Sequence, residues 1–303
     1  MANIENSSAS ISAAAQKSSS GVSLWHSRRA REIFSKLISH TVLLIGAFIM
    51  IVPFIWMLST SFKAPGRTFV YPPEWIPRPF VWQNYIEMWK ALPFNNFFFN
   101  SVKIATLSTI GQLLTCSMGA FAFSILKFKG RDLLFFLLIA TLMIPYQVTL
   151  IPTFILFSKI GWVGTHLPLW VPAFWGGAFG TFLLRQFYLT IPIDLAESAR
   201  VDGANILQIF THIYLPLSKP AMATLGIFTF MWSWNDLLNP LIYVSELKQL
   251  TLTVGLSFFQ NQYGGKWTLM MAGAVVSILP ILLIFFFAQK YFIQGIAMTG
   301  IKR

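Results

Sequence analysis

Residues 194–220 read DLAESARVDGANILQIFTHIYLPLSKP, and they form the only long polar, helix-forming segment between stretches hydrophobic enough to cross a bilayer. Asp194 is followed three residues later by Glu197, the pattern of a helix start with a capping box. Small residues come next, including Gly203, and they would let another protein's surface approach the backbone closely. Apolar residues at helical spacing then run to a predicted stop at Pro216. We therefore predict a structured docking element at the membrane face.

The composition sets the fold class. Hydrophobic residues make up 55% of the 303 residues and charged residues only 11%, which is wrong for a soluble domain. Apolar runs close to the length of a bilayer span recur along the chain. The sequence therefore predicts an all-α, polytopic membrane protein with about six transmembrane helices. The single cysteine, Cys116, lies in an apolar run, so we expect a small buried hydrophobic residue and no internal disulfide.

The net charge of +12 does not indicate a nucleic-acid partner, because the basic residues follow the predicted topology. If the N-terminus is cytoplasmic, 14 of the 22 Lys and Arg residues fall on the cytoplasmic side and 8 on the outer side. Short loops and the flanks of the spans thus obey the positive-inside rule. We expect both termini to lie in the cytoplasm of a bacterium, with the chain in its inner membrane.

The apolar runs divide the chain into a tail, six spans and their connections. Residues 1–30 are predicted to be a disordered cytoplasmic tail, since they are rich in Ser and Ala. Residues 31–303 are predicted to form the membrane domain, ending in a cytoplasmic tail at 290–303. Residues 63–96 are predicted to lie outside against the membrane interface, with a short helix over 81–91. The spans are predicted at residues 41–62, 97–126, 133–158, 167–189, 217–242 and 268–289.

Residues with catalytic chemistry are too scattered for an enzyme. There is no P-loop, because Trp267 stands where that motif requires Ser or Thr. Only one of the ten carboxylates, Asp236, falls inside a predicted span, whereas ion-coupled carriers place ionisable residues at mid-membrane depth. No metal site is expected, because the four histidines fall on different predicted faces: His26, His40, His166 and His212.

The segment 194–216, called the coupling segment below, resembles the EAA loop of bacterial binding-protein-dependent ABC importers. That pattern is E-A-A, three residues, G, nine residues, I, one residue, L-P. The matching residues here are Glu197-Ser198-Ala199, Gly203, Ile213 and Leu215-Pro216, with Ser198 in place of the central Ala. Residues 234–242 and 289–295 look like the carbohydrate branch of the family, and more closely like its maltose-type, MalG-like subunit.

The resemblance implies a division of labour among several chains. Two homologous permease subunits, here expected to be different chains, would form the pathway, and a solute-binding protein would dock outside. Two ATPase subunits would bind ATP and Mg²⁺ below the membrane, while this chain would carry no cofactor. The coupling segment would sit in a cleft of one ATPase, although Glu197 could instead serve only to cap its own helix. The residues implied in ATPase coupling are Asp194, Ala196, Glu197, Ser198, Ala199, Asp202, Gly203, Ala204, Ile213, Leu215 and Pro216.

Two further segments have roles that the resemblance implies. The C-terminal tail, with Gln294 and Gly295, would reach between the ATPases, and the alternative is a basic anchor at the interface. The outer loop 247–267 would enter the sugar site of the docked binding protein, and the alternative is a plain solvated loop. Its flexible and amide-rich candidates are Gln260, Asn261, Gln262, Tyr263, Gly264 and Gly265.

Residues that line the pathway are harder to identify. Aromatic rings suit stacking on sugars and amides suit hydroxyl groups, but interior Trp and Asn residues also pack helices together. The candidates are Gln147, Thr149, Trp232, Trp234, Asn235 and Asp236.

Several functions remain open at this stage. A sugar or oligosaccharide importer subunit is the leading hypothesis. The same architecture could carry a polyol, glycerol phosphate or an acidic saccharide, since 8 basic residues face four acidic ones near the outer side. A stand-alone ion-coupled carrier and an intramembrane enzyme are the alternatives from other classes.

Overall fold

All regular secondary structure in the residues that the structure describes is helical. This computed structural model describes residues 28–261 and 265–300, and within these ranges it contains helices and no strands. The α-helices are α1 (Arg28–Ser61), α2 (Gln83–Ala91), α3 (Phe94–Ile125), α4 (Arg131–Ala140), α5 (Tyr146–Lys159), α6 (Leu167–Trp170), α7 (Ala178–Tyr188), α8 (Asp194–Val201), α9 (Ile206–Ile209), α10 (Leu215–Leu217), α11 (Lys219–Trp234), α12 (Leu238–Tyr243), α13 (Leu252–Asn261) and α14 (Trp267–Gly300). Short 3₁₀ turns occupy Thr141–Met143, Val171–Trp175 and Leu247–Gln249, and a π-helical turn occupies Phe210–Tyr214. The chain is an all-α, polytopic membrane protein.

Helices of membrane-spanning length coincide with most of the predicted spans. Among the described residues, four segments are long and apolar enough to cross a bilayer: Arg31–Ser61, Phe94–Ile125, Leu167–Tyr188 and Trp267–Phe287. A fifth is added if Arg131–Met143 and Tyr146–Lys159, which meet at 99°, are counted as one broken span. The predicted fifth span forms α11, but this helix has only 16 residues, because the chain leaves helical conformation after Trp234. Six spans therefore stay a prediction.

The chain divides into two compact units, residues 1–56 and 57–303. The described part of the first unit is most of α1, which begins at Arg28, so the predicted tail at 1–30 ends three residues too late. Residues 1–27 lie outside the described residues. Apolar side chains along α1, such as Leu43 and Met50, are exposed, as expected of a helix that meets lipid.

In the second unit, α3 is the central helix, and α7 and α11 pack directly against it. Two hydrophobic clusters lie along it. One joins the start of α3 to α2, α13 and α14 around Phe94 and Phe97. The other joins the end of α3 to α7, α11 and the coupling segment. Cys116 is fully buried in the second cluster, which confirms the prediction of a small interior residue.

The predicted outer loop 247–267 contains a helix, α13, that the loop prediction missed. Its apolar residues Leu252, Val254 and Phe259 are buried in the cluster around Phe97. Ser101 Oγ accepts a hydrogen bond of 2.8 Å from the backbone N–H of Leu252. Because of these contacts and of its apolar residues at helical spacing, most of the segment is a packed helix.

The predicted outer helix over 81–91 is confirmed as α2, Gln83–Ala91. Asn84 is buried and its Nδ2 donates to the carbonyls of Ser61 and Lys63, both at 2.8 Å. The side chain thereby fixes α2 against the end of the preceding helix.

Candidate functional site

The coupling segment begins with α8, whose start differs from the predicted one. Asp194 is already helical, and the residue before it, Ile193, provides no side-chain cap. The predicted capping box between Asp194 and Glu197 is therefore wrong, because Asp194 lies inside the helix, one position past the cap. Ser198 Oγ donates to the carbonyl of Asp194 at 2.7 Å, and the Glu197 side chain is exposed.

The turn after α8 depends on Gly203. Its φ is +87°, in the left-handed region that glycine enters without a steric penalty. Gly203 N donates to Arg200 O at 3.1 Å, and Ala204 N donates to Ala199 O at 2.9 Å. This pair of bonds is a Schellman motif, so Gly203 ends α8.

A capping box does occur, one helix later. Asn205 Oδ1 accepts from Gln208 N at 2.9 Å, and Gln208 Oε1 accepts from Asn205 N at 2.8 Å. The helical segment that it starts runs from Ile206 to Leu217. It ends one residue after Pro216, so the predicted stop at this proline is correct to within one residue.

One face of the coupling segment packs against the chain's own membrane helices. Ala196 is 0% exposed, and Ile209 and Tyr214 are also fully buried. The Tyr214 ring contacts those of Phe121 and Tyr188, with centroids 5.2 and 5.5 Å apart. Burial raises the pKa of Tyr214, while the charge of Arg200 acts in the opposite direction, so the phenol stays neutral at physiological pH.

The inward face overturns part of the predicted docking surface. The sequence analysis placed Ala196 and Ala199 in contact with a partner protein. Ala196 instead fills the chain's own core, and Ala199 and Ala204 are partly buried against the same cluster. This cluster also contains residues from the ends of α3 and α7. Ile213 and Leu215 are half-buried.

The opposite face of the segment is exposed and carries both apolar and acidic groups. Val201 is 88% exposed and Leu207 is 66% exposed, and Leu195 and Ile206 are also accessible. These apolar residues were missed by the sequence analysis, although Val201 and Leu207 flank the helix break where one partner could reach both. Other exposed residues of the segment are Asp194, Glu197, Ser198, Asp202, Gly203 and Pro216.

The pathway candidates fall into two groups. Trp234 is a packing residue: it is 2% exposed, its ring contacts Phe98 and Phe230, and Nε1 donates to Ser277 O at 3.1 Å. The prediction that Trp234 lines the pathway is therefore wrong. The exposed candidates are Gln147, Thr149, Trp232 and Asn235.

Asp236 belongs to a polar network that connects two interrupted helices. Its carboxylate accepts from Asn239 N at 3.1 Å and from Asn239 Nδ2 at 2.8 Å. Asn239 Oδ1 in turn accepts a hydrogen bond from the hydroxyl of Tyr146. Tyr146 begins α5 just after the 99° bend, and Asp236 lies in the break between α11 and α12. Both interruptions therefore share one set of hydrogen bonds.

A third interruption lies at Gly176-Gly177, between a 3₁₀ turn and α7. Gly177 N donates to Cys116 Sγ at 3.3 Å. A Cβ at Gly177 would lie 2.7 Å from Gln112 Oε1, so a larger residue there would require the Gln112 side chain to move.

The remaining candidate segments are only partly described. The backbone of residues 290–300 continues α14 as a helix to Gly300, while the side chains of Gln294 and Gly295 lie outside the described residues. Gln262, Tyr263 and Gly264 also lie outside them. Gln260 and Asn261 end α13, so they are helical rather than part of a loop, and Gly265 has a φ of +75°.

A family model described as "Binding-protein-dependent transport system inner membrane component" matches residues 111–298, which include the whole coupling segment. The chain belongs to this family. It is a permease subunit of a binding-protein-dependent ABC importer, located in the inner membrane, and not an enzyme.

Similar proteins match nearly the whole chain. It is 35% identical to the osmoprotective compounds uptake permease protein GgtD of Synechocystis sp., over 91% of this chain and 96% of the relative. It is 31% identical to the sn-glycerol-3-phosphate permease protein UgpE of Yersinia enterocolitica, over 89% and 97%. It is 33% identical to the arabinooligosaccharides permease protein AraQ of Halalkalibacterium halodurans, over 84% and 92%.

The fold is also shared with a solved transporter. A chain of a bacterial ABC transporter that imports the acidic polysaccharide alginate superposes with a TM-score of 0.77 at 24% identity, covering 88% of this chain and 99% of that one. This likeness shows the fold.

Proposed function

We propose that this chain pairs with a second, different permease subunit and couples ATP hydrolysis on two separate ATPase chains to the import of a saccharide. The observation that carries this proposal is the two-faced coupling segment. Ala196, Ile209 and Tyr214 fix one face to the membrane helices, while Val201 and Leu207 are exposed on the other. A push on the exposed face would move the helices behind it.

The exposed face has the chemistry of a docking surface. An apolar side chain such as Val201 on a polar segment outside the membrane gains about 1.5–3 kcal/mol when a partner buries it completely. Glu197 and Asp202 are exposed and would pair with basic groups of an ATPase. In this proposal ATP and Mg²⁺ bind to the ATPases, whose closure rotates the permease helices. The C-terminal residues Gln294 and Gly295 would add a second contact.

The three helix interruptions support a pathway on one side of this chain. Non-helical backbone at membrane depth is tolerated where it is buried in protein or lines a water-filled cavity. Gln147, Thr149 and Asn235 lie beside the interruptions and are exposed. Exposed amides and hydroxyls are costly against lipid, so we place this surface against the second permease and the solute. The solute would arrive on a binding protein that docks outside.

The class of solute follows from the relatives and from the exposed polar groups. Relatives are named for arabinooligosaccharides and for sn-glycerol 3-phosphate, which are both rich in hydroxyl groups. Amide and hydroxyl side chains suit such solutes. An acidic saccharide or a polyol phosphate is the second candidate, because two lysines, Lys103 and Lys248, line an outer cleft without an ion pair among the described residues.

Orientation is part of the proposal. We place both termini, and with them the coupling segment, in the cytoplasm, because the short basic turn at 127–131 then lies inside. An ATPase can reach the exposed face of α8 only from that side.

Charge reversal at Glu197 tests the coupling. The chain is co-expressed with an ATPase, a second permease and a binding protein from the same source, and the complex is purified. We expect Glu197→Lys to reduce ATPase recovery and to abolish hydrolysis stimulated by loaded binding protein, because the lysine repels a basic partner. Glu87→Lys, the same reversal on the exposed face of α2, should leave both unchanged.

The opposite result would reject the proposal. A chain that is stable alone, recruits no ATPase with Glu197 intact and moves solute along an ion gradient is a stand-alone carrier.

A further inference from the structure

A cleft of about 630 Å³ opens at the predicted outer end of the molecule. One wall is the first part of α3, where Asn96, Asn100, Lys103 and Leu107 follow each other at spacings of four, three and four residues. Such spacings put all four side chains on one helix face. The other walls are residues 165–170, before and within α6, and residues 246–249 around the 3₁₀ turn.

Hydrogen bonds hold the three walls together. Asn100 Nδ2 donates to the carbonyls of Lys248 and Leu250 at 2.9 and 3.0 Å. The Nε2 of His166 lies 2.7 Å from the carbonyl oxygen of Gln249. The cleft is therefore a feature of the folded chain and does not depend on the rotamers of a few surface residues.

The charges in the cleft favour an anion. Lys103 and Lys248 line it from two different walls, and neither ammonium group forms an ion pair within residues 28–261 and 265–300. The one carboxylate that lines it, Glu246, accepts a hydrogen bond of 2.7 Å from Gln249 Nε2. Two cations thus face one carboxylate that is already engaged.

The remaining groups favour hydroxyls. A carbonyl oxygen can only accept, so His166 Nε2 must carry the proton that it shares with Gln249. Burial lowers the pKa of His166, and the charge of Lys103 lowers it further, against the opposing effect of the bond to Gln249. The imidazole is therefore neutral, and its Nδ1 remains an acceptor. Asn96 and Thr165 add an amide and a hydroxyl to the lining.

We propose that this cleft binds the phosphate or carboxylate group of a hydroxylated anion, with Lys103 and Lys248 on the charged group and His166 and Asn96 on its hydroxyls. The site does not depend on the coupling mechanism, and it is separate from the helix interruptions at Tyr146 and Asn239.

Two sources can supply that chemistry. A soluble anion, such as an acidic sugar or a polyol phosphate, would enter from outside. The headgroup of a glycerol-based anionic phospholipid presents the same groups, and its chains would run down the exposed stripe of α3 below Lys103, which includes Ile110 and Leu114. Both sources require the two lysines.

The test uses the assembled importer in nanodiscs of phosphatidylcholine, with inorganic phosphate and D-galacturonate as anionic probes and D-glucose as the neutral one. We expect calorimetry to detect the anions but not glucose. Because charge-assisted bonds contribute more than about 1.4 kcal/mol, Lys103→Gln and Lys248→Gln should each weaken anion binding by about tenfold. Lys90→Gln, which removes an exposed lysine of α2 outside the cleft, should change nothing.

A second arm distinguishes the lipid source. Complexes are formed in nanodiscs with added phosphatidylglycerol, and the lipid retained after extraction is counted by native mass spectrometry. If wild type retains phosphatidylglycerol, the double lysine variant loses it and the free anions compete weakly, the cleft is a headgroup site. If anions and lipid bind wild type, the double variant and Lys90→Gln equally, the proposal is overturned. ATPase activity of the same samples reports separately on the proposed function.

Discussion

Gly180 lies where three helices, α3, α7 and α11, pack closely together. A Cβ there would lie 2.7 Å from Cys116 Sγ on α3 and 3.1 Å from both terminal methyl groups of Leu225 on α11. Neither neighbour can retreat easily, because both are buried in one cluster with less than 2% of their surface exposed. The three helices can pack at this distance only around glycine.

We predict that Gly180→Val lowers the stability of the permease. Overpacking of this kind costs about 1–3 kcal/mol, and each kcal/mol corresponds to about 2–4 °C in the unfolding midpoint of a domain this large. Fluorescence-detected thermal unfolding in detergent would measure the shift. Gly46→Val is the matched control, since a Cβ at Gly46 meets nothing within 4 Å. Equal midpoints for the two variants would contradict the packing argument.

For single residues, the sequence predicted where a small residue is needed better than it predicted which way the side chain faces. The motif placed a glycine at position 203, and the structure uses it for the positive φ that ends α8. The same pattern could not tell which way Ala196 faces, since a small residue is needed equally for packing inward and for docking outward. The direction depends on a cluster that includes Phe121 and Leu225, which are distant in sequence.

Among the helical elements, α5 and α12 are joined by the bond between Tyr146 and Asn239. Each of these helices follows an interruption, so the bond connects two places where the backbone can bend. Asp236 holds Asn239 from the other side through two hydrogen bonds.

We predict that Tyr146→Phe and Asn239→Ala each slow solute uptake by about fivefold, the equivalent of about 1 kcal/mol for one hydrogen bond. Because both variants remove the Tyr146–Asn239 bond, the loss in the double variant should be smaller than the product of the two single losses. Uptake into proteoliposomes gives the three rates. Tyr71→Phe, at an exposed outer position, is the matched control. Losses that multiply in the double variant would show that the two side chains act independently.

The helices α5 and α13 have features that the hydrophobic periodicity of the sequence did not predict. The third span was predicted as one run over residues 133–158, but the chain bends by 99° within it, and just after the bend the Tyr146 hydroxyl bonds Asn239, 93 residues away. The helix α13 was missed because glycines and amides dominate the end of that segment. Its apolar residues pack only once Phe97 is in place.

At the scale of the whole molecule, the orientation of the helices across the membrane can be tested at two lysines. Lys129 lies in the turn between α3 and α4, and Lys159 ends α5. If the basic turn is cytoplasmic, the two lysines lie on opposite sides of the membrane, because a single broken span separates them.

We predict that Lys129→Cys reacts with a membrane-impermeant maleimide only in inside-out vesicles, and Lys159→Cys only in intact spheroplasts. Cys116 is buried, so the native background should be low. Labelling of the two cysteines from the same side would contradict the orientation.

The fold class and the family were predictable from the sequence, because bilayer-length apolar runs and a fixed motif are local features. The early end of α11 at Trp234 was not, since the surroundings of this residue include Phe98 and Ser277, which are distant in sequence. Contacts of that kind leave no mark in a hydropathy profile.

In the coupling segment, the side chains that pack in the interior and those proposed to contact the ATPase belong to different residues. Ala196 and Ile209 serve the interior, while Val201 and Leu207 serve the exterior. Substitutions in the part of such a chain that faces the solute can therefore accumulate without changing the residues that contact the ATPase. One ATPase could power a whole repertoire of permeases, each carrying something different, provided that they keep the same few outward residues.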